Sequence, residues 1–242
     1  MPIASTNFAE GALARLAPLA RRTIGDDVLD TLRKSIIAGA FAPGDHIAEG
    51  TLADQLGVSR APVREAMMQL EREGLLVFDK RGAALVKIFT DTDFEEIFSL
   101  RLTLETMAAR LAAVRLADDD ADRLVGNIGR TRSAARLLEL TLLDVEFHDL
   151  IVQTARHTRL QMCWATLRHQ LEFWLARMHR RVSVPVAQTR EATVRHHLKL
   201  LQALRSRDAS RAAAAIRDHI EGWRRQHVPG SANGRAARRK KS

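Results

Sequence analysis

The stretch Leu52-Ala53-Asp54-Gln55-Leu56-Gly57-Val58-Ser59-Arg60 decides how the N-terminal part of this chain folds. Ala53 is small enough for two helices to approach closely. Gly57 can take the left-handed conformation that a tight inter-helix turn needs. Val58 plugs that turn into a core. Ser59 is suited to cap a following helix, and Pro62 is tolerated in its first turn, where backbone N–H groups have no helical partner. Val63, Ala66, Met67 and Leu70 then form one apolar stripe. Arg60 and Arg64 are four residues apart and project from one face near the start of the helix. In helix-turn-helix modules that end of the second helix reads base edges.

The surrounding sequence extends the motif in both directions. Upstream, Val28, Leu29, Leu32, Ile36 and Ile37 follow the 3.6-residue period, so Asp26 to Gly39 reads as a helix stopped by glycine. Pro43-Gly44 marks a turn, and Glu49 to Leu56 is a short helix. Downstream, the Ser59 helix runs to about Glu73. Leu75 to Phe78 and Ala84 to Ile88 read as two strands around Asp79-Lys80-Arg81-Gly82, a hairpin that brings Lys80, Arg81 and Gly82 to wing distance. From Asp91, a candidate N-cap, the pattern is helical throughout. Six helices are expected, over about 92–116, 119–136, 138–155, 158–180, 187–206 and 208–227. Pro185 marks the start of the fifth, and Asp208 caps the sixth. The fold class is therefore mainly α: a winged helix-turn-helix with a small β-hairpin, followed by an all-α six-helix bundle. The expected organisation is a mobile arm over 1–22, a DNA-binding domain over 23–90, a sensing domain over 91–227 and a basic disordered tail over 228–242.

Composition agrees with two modest domains. The chain has 242 residues, 46% of them apolar. It contains no run of about 18 apolar residues and no secretory leader pattern at Met1–Ala20. Its single cysteine, Cys163, cannot form an internal disulfide and sits in an apolar helical stretch, where it is expected to pack as a small hydrophobe. A cytoplasmic protein with no membrane partner is expected. The net charge of +9 falls to +4 without Arg235, Arg238, Arg239, Lys240 and Lys241 in the last eight residues. From Thr23 to Ile88, eight basic residues face ten acidic ones. Net charge does not argue for nucleic acid here; the placement of individual cations must.

The helical half carries a second constellation. Asp144 and His148 share one helix face with Leu137, Leu140 and Ile151. His197 lies between Val194 and Leu201, and His219 between Ile216 and Trp223. Burying such groups without partners costs several kcal/mol. One carboxylate and three imidazoles can form a divalent-metal site with open positions; alternatively they are hydrogen-bonded core residues. Arg101 also sits in an apolar stripe. It reads either as a buried pair with Glu105 or as a clamp for an effector carboxylate, which suits guanidinium geometry. Arg168, His169 and Glu172 are candidates to line the same cavity. The tryptophans Trp164, Trp174 and Trp223 read as packing residues.

Two resemblances sharpen these readings. Leu32-Arg33-Lys34-Ser35-Ile36-Ile37-Ala38-Gly39, Pro43-Gly44-Asp45, Glu49, Leu52-Ala53, Leu56-Gly57-Val58-Ser59-Arg60, Pro62-Val63-Arg64-Glu65-Ala66, Leu70-Glu71 and Glu73-Gly74-Leu75 resemble the winged-helix domain of GntR-family regulators. That resemblance implies that Arg60 and Arg64 contact operator DNA, with Ser59 at the helix start, Arg81 and Gly82 at the wing tip, and Lys80 and Arg33 as further candidates. Gly50 stands where some members carry an arginine. Arg101-Leu102-Thr103-Leu104-Glu105, Asp144-Val145-Glu146-Phe147-His148, His197, Asp208, Ala212 and Asp218-His219-Ile220 are similar to the FCD effector domain of the FadR-type branch, and six helices rather than seven to its VanR-like subgroup. This implies a divalent ion (Zn, Ni or Mn) on Asp144, His148, His197 and His219, although the His196-His197 doublet leaves two rings to choose from. It further implies a small carboxylic-acid effector and a homodimer on a palindromic double-stranded operator. The expected protein is a ligand-responsive regulator, not an enzyme. Two other readings remain: a metal-free sensor of a larger apolar ligand such as an acyl thioester, and a metal-dependent phosphohydrolase built on the His148-Asp149 doublet. Adjacent helical residues point about 100° apart, and among upstream histidines only His46 is available to the second reading.

Overall fold

The computed structural model describes residues 22–182 and 185–227. The expected arm and basic tail lie outside the described residues, apart from Arg22. The first helix, α1 (Ile24–Ala38), starts in a capping box in which Thr23 and Asp26 satisfy each other's backbone N–H, and it ends on Gly39 at φ +83°. The helix-turn-helix follows as α2 (Glu49–Leu56) and α3 (Arg60–Arg72). Gly57 makes the turn at φ +64°, as its lack of a Cβ allows. Val63, Ala66, Met67 and Leu70 are buried against Val28, Leu32, Ile36 and Ile37 of α1. Ser59 is at the N-cap position but makes no side-chain capping bond.

The wing has three strands rather than the expected two. β2 (Leu76–Phe78) and β3 (Ala84–Val86) form the hairpin, and β1 (His46–Ile47) pairs antiparallel with the outer side of β3, giving the order β1-β3-β2. In register, His46 faces Leu85 and Leu76 faces Val86. The hairpin tip is tied by Asp79, whose Oδ1 accepts from the backbone N–H of Arg81 and Ala83 at 2.8 Å each.

Six helices follow: α4 (Asp91–Arg115), α5 (Asp118–Ser133), α6 (Leu137–Thr154), α7 (Thr158–Val182), α8 (Val186–Arg205) and α9 (Ala209–His227). The cap of α4 is Thr90, not Asp91; Thr90 and Asp93 form a capping box. Lys87 and Thr90 hold the Asp93 carboxyl down to about 2, so the four residues between β3 and α4 are pinned at both ends. Asp208 caps α9 as expected, accepting from the N–H of Ser210 and Arg211. The helical core gathers Ala108 and Ala112 of α4, Leu124 of α5, Phe147 and Ile151 of α6, Trp164 and Leu171 of α7, Leu204 of α8 and Ile216 of α9. Cys163 does not join it. It lies one position from Trp164, and because Trp164 points inward, Cys163 is turned to solvent.

The two halves share a helix. Phe173 and Ala176 of α7 are buried within the core of the winged-helix half, and the Phe173 ring lies tilted against that of Phe89, centroids 5.4 Å apart. Arg180 donates to the carbonyl of Ile37 at 2.9 Å. The neighbouring positions Leu171 and Leu175 belong to the core of the helical half.

Candidate metal centre and DNA interface

Asp144, His148, His197 and His219 converge, and one ligand atom from each lies within 4.8 Å of the others. They come from α6, α8 and α9. Four-residue spacing puts Asp144 and His148 on the inner face of α6. His148 and His197 are fully buried, and His197 is stacked on Phe147 with ring centroids 3.9 Å apart. His196, the other member of the doublet, is only half-buried and lies outside the cluster.

Glu105 fixes the orientation of this site. Its Oε2 accepts a short hydrogen bond from His148 Nδ1, and its Oε1 accepts from Arg101 Nε at 2.7 Å. Burial works against the Glu105 charge, but Arg101 and His148 outweigh it and hold the pKa below the usual range. With its Nδ1 proton committed, His148 presents a bare Nε2 lone pair, 3.2 Å from Nε2 of His219. His197 Nε2 donates to Asp144 Oδ1 at 3.1 Å. This leaves Nδ1 of His197 and Nδ1 of His219 buried without a hydrogen-bond partner. The cluster therefore holds more lone pairs than protons to satisfy them. Burial also pushes the pKa of both His197 and His219 down, so protonation does not remove the surplus. Such a donor set fits a divalent cation, which would supply neutralising charge and open coordination positions. The Asp144 carboxyl pays for burial but gains more from His197 and the nearby His148 and Arg101, so its pKa is far below normal.

A pH dependence follows. Folded-state pKa values of His197 and His219 lie below the unfolded value of about 6.5. In that window the unfolded chain binds more protons, so stability of the metal-free protein falls as pH drops below about 6.5. Urea unfolding in chelator at pH 7.5 and 5.5 checks this. Equal or greater stability at pH 5.5 would contradict it.

A cavity of about 150 Å³ opens beside the cluster, with Asp144 and His219 at its floor. Its walls include His179, Gln188, Thr189, Thr193, His196 and Trp223, with Leu140 and Leu175. Arg101 does not line it. Its side chain is 4% exposed and lies behind the ligands, against Glu105. Arg168, His169 and Glu172 form a separate network: Arg168 bridges Asp149 and Glu172 at 3.0 Å each, and His169 meets Glu172 at 3.1 Å. Asp149 also accepts from Trp164 Nε1 at 3.0 Å. It therefore faces away from the metal ligands, against what a His-Asp hydrolase doublet needs.

On the winged half, Arg60, Arg64, Lys80, Arg81 and Gly82 are all exposed. Nε and Nη2 of Arg64 donate to the two oxygens of the Glu49 carboxylate, at 2.9 and 3.0 Å. Arg60 lies across Gly50, where a Cβ would stand 3.3 Å from its Nη2. Arg33, a further candidate, is held by acids of the winged half. It pairs with Glu73 at 2.7 and 2.8 Å and with Asp30 at 2.7 Å, which ties α1 to the end of α3.

Residues 96–222 match the profile described as FCD domain, and residues 24–86 match bacterial regulatory proteins of the gntR family. The chain belongs to the GntR family and carries an FCD domain. As a member, this regulator is a DNA-binding transcription regulator. It is 34% identical over 134 residues to the uncharacterized HTH-type transcriptional regulator YdhC of Bacillus subtilis, an alignment spanning 54% of this chain and 60% of that relative. It is 27% identical to the gluconate operon transcriptional repressor of the same organism over 84% of each chain. It is also 27% identical to the transcriptional repressor RspR of Escherichia coli, over 82% of this chain and 86% of that one. Among solved structures, Escherichia coli McbR/YncC superposes with a TM-score of 0.71 at 23% identity, covering 84% and 95% of the two chains. A GntR regulator from Rhodococcus sp. RHA1 gives 0.68 at 21%, covering 85% and 98%. Both show the fold. No helix among the described residues is long and apolar enough to cross a membrane.

The sequence reading missed the link from Glu105 to His148 in this regulator. The four-residue spacing of Arg101 and Glu105 showed their pairing, but nothing local shows a contact to a residue 43 positions away. It also missed the cavity wall on α8, where Gln188, Thr189 and Thr193 gave no signal beyond helical polarity.

Proposed function

We propose that this regulator is a repressor whose grip on operator DNA is set by a small organic acid bound beside a divalent ion in the FCD domain. The carrying observation is that two members of the four-ligand cluster, Asp144 and His219, line a cavity, and that α7, which contributes Leu175 and His179 to the wall, buries Phe173 and Ala176 in the core of the winged half. An acid that binds differently in two poses of α7 shifts their populations, and a tenfold change in operator affinity needs about 1.4 kcal/mol of such coupling. A cavity of about 150 Å³ suits a small effector. Asp144, His148, His197 and His219 would hold the ion, with Zn, Ni and Mn all compatible with this donor set. Arg101 acts on the site through Glu105 rather than by touching the effector.

In this reading residues 23–90 bind DNA, residues 91–227 sense the acid, and the protein acts in the cytoplasm as a homodimer on a palindromic operator. Six helices in the sensing half support the FadR-type branch and its VanR-like subgroup. The two relatives described as repressors support the direction of control.

Ser59, Arg60 and Arg64 present the start of α3 to a major groove, while Lys80, Arg81 and Gly82 bring the wing to the backbone or minor groove. Arg60→Ala and Arg64→Ala are each expected to weaken binding by about 1–3 kcal/mol if the side chain reads a base. The test is a gel-shift titration at fixed salt, on an operator selected by the protein from random-sequence DNA. Unchanged affinity in both single variants and in the double variant would overturn the assignment.

A further inference from the structure

The start of α2 meets both arginines at the start of α3. Arg64 gives its Nε and Nη2 to the two oxygens of Glu49, fifteen positions earlier. The Arg64 side chain is 67% exposed and that of Glu49 24%. An ion pair so open to water adds little to stability. The fold does not depend on it either, because Leu52 and Ala53 of α2 and Val63 and Ala66 of α3 are already buried in one core. Arg60 lies instead across Gly50 and forms no ion pair among the described residues. Of the two arginines, only Arg64 is held by a carboxylate.

What this does to Arg64 follows from the shape of a guanidinium. The group is planar and carries five N–H donors, one on Nε and two on each Nη. Glu49 takes the side edge, formed by Nε and one hydrogen of Nη2. The end edge stays free: one N–H of Nη1 and one of Nη2, parallel, at the tip of the side chain. Two parallel donors match N7 and O6 of guanine, the one base that presents two neighbouring acceptors in the major groove. A phosphate would bring a second anion close to the Glu49 carboxylate, whereas a base edge carries only partial charges.

We propose that Glu49 is a positioning residue for base readout: it holds Arg64 by the side edge so that the free end edge selects a guanine in each operator half-site. The inference rests on the reading above that Arg64 contacts the operator, and adds which base it reads and what aims it. Glu49 also neutralises Arg64 locally. Arg64 therefore serves selection more than the sequence-independent attraction to phosphate.

The experiment uses the full chain with Glu49→Ala, Glu49→Gln, Arg64→Ala and the double variant Glu49→Ala with Arg64→Ala. Each is titrated against the operator selected by the parent protein, against operators with every base pair of a half-site replaced in turn, and against random-sequence DNA over a salt series. Melting curves confirm that each variant folds. The parent protein is expected to prefer guanine at one position per half-site, and Arg64→Ala to lose that preference. Glu49→Ala should reduce it about tenfold. The same variant should bind random DNA more tightly, with the log–log salt dependence steeper by about 0.9 per released cation. Glu49→Gln keeps one acceptor oxygen and should retain part of the preference. In the Arg64→Ala background, Glu49→Ala should change the preference no further. Opposite effects on base preference and on random DNA separate this role from damage to the fold, which weakens binding to every sequence. A guanine preference that Arg64→Ala removes and Glu49→Ala leaves intact overturns the positioning role and leaves the Arg64 contact standing. A further loss of preference in the double variant puts Glu49 itself on the DNA and overturns the positioning role too. No guanine preference that depends on Arg64 overturns the base contact and this inference together.

Discussion

Replacing Glu105 by alanine is expected to cost about 3–5 kcal/mol of stability, a large fraction of the roughly 5–15 kcal/mol that holds a typical domain folded. Glu105 is 1% exposed, Arg101 4% and His148 fully buried. Without the carboxylate, the buried Arg101 guanidinium loses the counter-charge it is hydrogen-bonded to, with Asp144 the carboxylate left nearby. The same change removes the acceptor that fixes His148 Nδ1, which is expected to lower metal affinity 10- to 100-fold. Glu105→Gln separates the two effects. It keeps the volume and an acceptor but not the charge, so it should remain folded more often than the alanine variant while still binding metal more weakly. Chemical denaturation and a metal titration monitored by competition with a chromophoric chelator give both numbers. A loss of less than about 1 kcal/mol in Glu105→Ala would show that Arg101 finds another partner.

Metal removal is the second large effect. The purified protein is expected to carry about one divalent ion per chain. Ligands from α6, α8 and α9 meet only in the folded state, so an ion bound there stabilises folding by RT ln(1 + [L]/Kd), or about 2.7 kcal/mol at a hundredfold excess over Kd. A chelator should lower the melting temperature, added ion should restore it, and His197→Ala should be insensitive to both. Elemental analysis supplies the occupancy, and calorimetric titration of short carboxylic acids before and after chelation tests the effector. Metal-free protein that cannot be reloaded, or equal acid affinity in both forms, would make the cluster a structural polar network.

What was legible in the sequence was what is local. The turn at Gly57, the inward stripe of α3 and the alternation of apolar positions in six helices depend on neighbours within four residues, and each is where its pattern put it. β1 was not legible because two residues carry no period. His46 and Ile47 are a strand only through pairing with β3, some forty residues later. The cap of α4 was misread by one position because Asp91 and Thr90 are both good N-caps, and the deciding partner, Asp93, sits three residues from Thr90. Cys163 was misplaced because an apolar stretch does not say which of its residues faces inward; its neighbour Trp164 takes that place. The ion pair of Arg33 with Glu73 was not legible because its partner is forty positions away. For the metal cluster, spacing joined Asp144 to His148, but only the packing of α8 and α9 brings His197 and His219 to them and sets His196 aside.

The use of α7 by both cores limits how freely these parts can be exchanged. A hybrid that keeps the sensing half and receives a foreign DNA-reading head would be joined at the short link between β3 and α4, yet the join would not be the difficult place. Phe173, Ala176 and Arg180 would arrive with the sensor and meet a head whose Phe89 site and Ile37 carbonyl had been replaced. Signal and reader are thus matched parts, and successful recombination between relatives should carry compensating changes along α1 and α7 rather than at the boundary itself.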